Sequence, residues 1–225
     1  MLFEKGVRFS SADFETPKKK YVILKEGSQV HVSDIVCEYG AYLLKQNGNP
    51  LETLRTTGNS IREEAVSMFI FRDFPGHIYI SNMNQRIFVS FDEDGAKLCS
   101  CALALGDRRK NGVELLPNSV SDVTADGIRM ETLSHDLHPY GFIPSNLEAA
   151  FIAWMKKNPQ TRLADVFDYA LKGHYPPEIL RSLPIYEIFE KLYYDGVVRV
   201  KREFDRPGMD ENGSVMDWIV YSASC

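Results

Sequence analysis

The stretch from Ile185 to Lys201 restricts the fold of this chain more than any other. Ile185, Ile188, Phe189 and Leu192 recur at the i, i+3, i+4, i+7 spacing of one helix face, and Pro184 suits that helix's first turn. Gly196 stops the helical period, after which Val197–Phe204 alternates as a strand does. Arg206–Ser214 is a polar loop rich in turn formers, and Val215–Ser222 returns as a second strand.

Two amphipathic runs precede this unit. Leu147, Ala150, Phe151, Trp154 and Met155 share one face of a helix opened by the capping box Ser145-Asn146-Leu147-Glu148. Leu163, Val166, Phe167, Ala170 and Leu171 repeat the spacing over 162–172, with Gly173 as the stop and a short helix expected at Pro176–Ser182. Helices followed by I-Y-E-I-F-E-K-L-Y-Y-D-G-V-V-R-V-K, a loop and D-W-I-V-Y resemble the winged helix-turn-helix superfamily. The resemblance covers the C-terminal third. It implies a helical core with a β-hairpin wing that contacts DNA, RNA or protein.

Before Pro139–Pro144 the pattern is mixed. Residues 20–25 read as a strand, and Ser33 offers an N-cap for a helix to about Gln46, ended by Asn47-Gly48-Asn49-Pro50. Ser60 and Glu63 spell a capping box for a short helix into Met68–Phe71. His77–Ser81 and Arg86–Phe91 read as strands joined by a tight turn, and Asp94-Gly95 turns the chain into Ala96–Leu105. Weaker strands at 112–116 and 127–133 extend the meander. The expected class is α+β: an antiparallel sheet with packed helices over 1–140, then a winged-helix-like domain over 144–225.

Four cysteines among 225 residues, irregularly spaced, do not suggest a disulfide framework. Met1–Ser10 carries Glu4, Lys5 and Arg8 and lacks a signal-like apolar run, so the expected compartment is reducing and cytoplasmic. No stretch approaches a membrane span. The net charge of −5 argues against coating nucleic acid through bulk charge. From Pro144 onward there are ten Lys/Arg and twelve Asp/Glu, so any basic footprint must be local.

The residues expected to meet phosphate are Arg199, Lys201 and Arg202 on the first wing strand, with Arg108, Arg109 and Lys110 at an expected hairpin tip. Ser11-Ala12-Asp13-Phe14-Glu15-Thr16 resembles the first motif, D-x-E-T, of proofreading-type 3′–5′ exonucleases, which implies metal-ligand roles for Asp13 and Glu15. Two-metal chemistry needs further carboxylates, for which Asp73, Asp92 and Asp136 are the nearest donors. Cys99 and Cys101, on one face of a strand, could join His135 and His138 around zinc. Phosphate-binding, dinucleotide-binding, zinc-hydrolase and serine-elbow signatures are all missing. The expectation is a non-enzymatic regulatory or adaptor protein without cofactor, its winged helix contacting nucleic acid or a nucleic-acid-processing complex. A pure protein-interaction module with a degenerate winged helix is the alternative, and the metal-dependent nuclease a third.

Overall fold

A computed structural model describes residues 22–23, 29–60, 65–83, 85–133, 146–166, 182–207 and 214–222. The fold is α+β, mixing helices with antiparallel sheets. The chain divides into two compact units, residues 1–100 with 105–137, and residues 101–104 with 138–225.

In the first unit β1 (Val22–Ile23) and β2 (Gln29–Val30) form a small ladder that leads into α1 (Val32–Asn47). The N-cap of α1 is His31, not Ser33: the imidazole accepts from the Ser33 N–H at 3.2 Å. Gly48, at φ 63°, ends the helix by donating its N–H to the Leu44 carbonyl. The chain re-enters helix at once, as α2 (Pro50–Ser60). Asn49 Oδ1 accepts from the Glu52 N–H, and Pro50 fills a first-turn position where no N–H is missed. So Asn47–Pro50 stops one helix and also starts another. Ser60 is the last residue of α2, residues 61–64 lie outside the described residues, and the segment into which the expected helix was to run is strand β3 (Ala65–Phe69). Pairing of β3 with β4 (Ile78–Met83) along its whole length outweighs the local capping signal.

The remaining strands are β5 (Ile87–Asp92), β6 (Gly95–Cys99), β7 (Gly112–Leu115), β8 (Ser119–Thr124) and β9 (Gly127–Thr132). They make two sheets, ordered β3-β4-β8-β9 and β6-β5-β7, rather than one meander. The turn expected to join β4 and β5 as a hairpin carries the chain from one sheet to the other. Burial on both faces explains the change. Tyr79 and Met83 of β4 pack with Leu51 and Leu54 of α2, whereas Ile80 packs with Ile87, Val89 and Leu115 of the second sheet. Gly40 and Gly58 permit close helix–sheet approach, since an added Cβ would come within 2.7 Å of the Phe69 ring and of Ser81 Oγ respectively.

In the second unit the order is α3 (Leu147–Lys157), β10 (Gln160–Arg162), α4 (Leu163–Asp165), α5 (Ser182–Tyr194), β11 (Val198–Pro207) and β12 (Ser214–Ser222). The helix expected from residue 162 begins at Leu163, and the residues just before it form a strand because they pair with β12. The three-stranded antiparallel sheet runs β10-β12-β11. Leu147, Phe151 and Met155 of α3, Leu163 of α4, Ile188, Phe189 and Leu192 of α5, and Val198 and Val220 of the sheet share one core. Phe151 and Phe189 stack at 6.5 Å between centroids. Gly196 at φ 71° closes α5, with Gly196 N–H donating to Tyr193 O and Val197 N–H to Leu192 O, a Schellman arrangement. Ser145, Phe167–Leu171, Gly173 and Pro176–Arg181 lie outside the described residues. Among the described residues, no helix is long and apolar enough to cross a membrane.

Candidate interaction surface of the second unit

Register decides which residues of the second unit's sheet share a face. Gln160, Tyr221 and Arg199 lie in one row across the sheet, and Arg162, Ile219 and Lys201 in the next. Val200 pairs with Val220 in the intervening row, on the face that closes the core. Arg199 and Lys201 are exposed on β11, an edge of the described sheet. Arg202 pairs with Trp218, and strand alternation puts that position on the opposite face from 199 and 201. The basic trio read from the sequence therefore splits. Arg162, absent from that trio, joins the Arg199 and Lys201 face because β10 pairs with β12; a three-residue strand between two helical runs leaves almost no periodic signal. Its guanidinium is held by Asp165 through bonds of 2.8 and 2.5 Å.

Beside that face a cleft of about 780 Å³ is lined by Trp154, Asn158, Gln160, Arg162 and Ile219 among others. Asn158 Nδ2 donates to the Trp154 carbonyl at 3.1 Å, closing the end of α3.

Helix α5 offers different chemistry. Glu187, Lys191 and Asp195 are exposed, and Lys191 bonds Glu148 of α3 at 2.8 Å and pairs with Asp195 at 3.3 Å. The Glu148 and Asp195 carboxylates raise the Lys191 pKa, with the hydrogen bond to Glu148 the leading cause. That cation is committed to its own unit's acids. Glu190 is buried at 4% exposure and accepts the Ala102 N–H at 2.9 Å.

The other sequence candidates fall elsewhere. Arg108, Arg109 and Lys110 lie in the 3₁₀-helical segment Ala102–Asn111, not at a hairpin tip, because β6 and β7 flank β5 on opposite sides and need a longer connection. Their side chains lie outside what is described. Strand β6 ends at Cys99, so alternation does not carry through to Cys101, which belongs to the second unit while Cys99 belongs to the first. His135 and His138 lie outside the described residues, as do Asp13, Glu15 and Asp136. Asp73 pairs with Arg72 on the surface, and Asp92 bonds Lys97 at 2.7 Å. Among the described residues, no cluster of three or more His, Cys, Asp or Glu side chains is gathered for a metal ion.

The first unit holds a smaller cleft of about 410 Å³ between the start of α1 and β3, walled by Val32, Val36, Met68 and Phe69. Cys37 borders it, with a thiol pKa raised first by burial and then by the Glu38 and Asp34 charges. Tyr79 also titrates above its ordinary value, through burial and then the charge of Asp122, which bonds His77 at 2.8 Å. No protein-family model matches this chain, and no curated protein matches it in sequence.

Proposed function

We propose that the second unit is a winged helix in a non-enzymatic regulatory or adaptor protein, and that its wing contacts nucleic acid or a nucleic-acid-processing complex. The observation carrying this reading is the order α3, β10, α4, α5, β11, β12 with the sheet threaded β10-β12-β11, which puts a hairpin directly after the last core helix. Arg199 and Lys201, exposed in consecutive rows of one face, are the phosphate contacts, while α5 carries mostly acids outward and is not the groove-reading element. The test is anisotropy of labelled duplex DNA and single-stranded RNA over a salt series, using wild type and the Arg199→Gln/Lys201→Gln/Arg202→Gln variant. Binding should weaken at low salt, and its logarithmic salt slope should fall by about 0.9 for each duplex phosphate that the variant no longer neutralises. Unchanged affinity in the variant would sink the wing as the contact surface.

A second reading has its own observation. The engagement of Glu190 with Ala102 takes part of the last core helix out of solvent, as a winged helix devoted to protein contact would allow. Wild-type protein that leaves both nucleic acids unbound at low salt favours this reading over the first.

A further inference from the structure

The cleft beside the Arg199 and Lys201 face gathers groups that a phosphate contact does not require. Trp154 is half-buried, and its indole nitrogen is withdrawn from solvent, so its side chain presents no polar atom to the cleft. Ile219 of β12 adds an aliphatic residue to the lining. Asn158 and Gln160 bring carboxamides, each able both to donate and to accept. Asn158 is held by its bond to the Trp154 carbonyl, and Arg162 by its two bonds to Asp165. Held in this way, Arg162 offers a fixed plane whose charge a carboxylate already balances. A flat, uncharged ring edged with donors and acceptors suits such a lining, with its faces against Trp154 or the guanidinium and its edge toward the carboxamides. A nucleobase has that form.

The cations around the cleft suit the rest of a nucleotide. Arg199 and Lys201 are exposed in the same two rows as Gln160 and Arg162, about 10 Å away across two strand spacings. Along β11 these two positions are about 6.6 Å apart, a step comparable to that between phosphates of an extended single strand. Lys157, exposed one helical turn after Trp154, lies on the same side of α3. The following row pairs Glu203 with Asp217, which ends the basic stretch. We propose that the cleft is a nucleobase pocket, taking one unstacked base of a single-stranded nucleic acid whose phosphates lie along Arg199 and Lys201. The proposal rests on the nucleic-acid reading of the second unit and narrows it to single strands, because duplex bases are stacked away from such a cleft.

The full chain is titrated with dye-labelled oligodeoxythymidylate and with a fully abasic strand of equal length, which keeps every phosphate and lacks every base. The thymidylate should bind at least about fivefold more tightly, the effect of stacking one base. Gln160→Ala should weaken thymidylate binding without changing its salt slope, because a base contact is lost and no phosphate contact is. Trp154 emission, read in a Trp218→Phe chain that lacks the other tryptophan, should be quenched by the thymidylate and not by the abasic strand. The comparison of strands uses wild type and stands even if that variant fails to fold. Equal affinity for the two strands overturns the pocket and leaves the wing reading intact, since both strands still meet Arg199 and Lys201. A duplex bound as tightly as the single strand overturns it as well. Deoxythymidine monophosphate bound as tightly as the strand assigns the cleft to a free nucleotide and overturns the single strand as its ligand. Failure of both strands to bind at low salt sinks the wing reading together with this one.

Discussion

Cys37 illustrates how a single side chain can be visible and still chemically quiet. Its residue is exposed on α1, but partial burial desolvates its thiol, and Glu38 and Asp34 disfavour the thiolate further. Alkylation by iodoacetamide should therefore be slower at neutral pH than for a free cysteine, with the midpoint of its pH–rate curve displaced upward. A midpoint at or below the free value would contradict this environment. The sign for stability follows from linkage. The folded chain keeps a proton that the unfolded chain releases, so the contribution is complete below the unfolded thiol pKa and is lost as pH rises through the raised one. None of this was legible in the sequence, where Cys37 is one more residue in a helical run. Arg199 and Lys201 were legible as a basic pair, and their shared face followed from the strand period alone.

Elements whose periodicity is long and whose ends are marked emerged close to their sequence readings. α3 begins at Leu147 and buries Leu147, Phe151 and Met155; α5 buries Ile188, Phe189 and Leu192 and stops before Gly196. Phe189→Ala should lower stability by about 3–5 kcal/mol, through lost transfer energy and the cavity left against Phe151. A denaturation midpoint unmoved by the change would show that the helix is not core. Short elements were missed or misread: β10 pairs with β12 and β8 with β4, both distant in sequence, β3 owes its conformation to pairing with the next strand β4, and α2 was hidden by an Asn-Gly-Asn-Pro run that reads as a stop. The packing of α1 on the sheet is equally non-local. Gly40 tolerates the Phe69 ring only because it has no side chain, so Gly40→Val should cost about 1–3 kcal/mol by overpacking, measured by chemical denaturation. Equal stability of the two chains would mean that α1 moves freely against β3.

For the whole molecule, the consequential feature is that the second unit takes Cys101–Ala104 from between strands of the first. A fragment of residues 138–225 lacks the Ala102 amide and the Leu103 packing, so its denaturation midpoint should fall below that of the same unit in the full chain. Equal midpoints would show that the segment adds nothing to that unit. By itself the sequence determined the α+β class, the faces of α3 and α5, and the hairpin after Gly196. Each depends on spacing within one segment and on local stop signals, which act through nearest-neighbour geometry. Only the tertiary structure decided the division into two sheets, the entry of β10 beside β12, and the burial of Glu190 under Ala102. Those depend on which strand edges meet and on a hydrogen bond across 88 residues, and no local pattern encodes the partner of an edge or of a carboxylate.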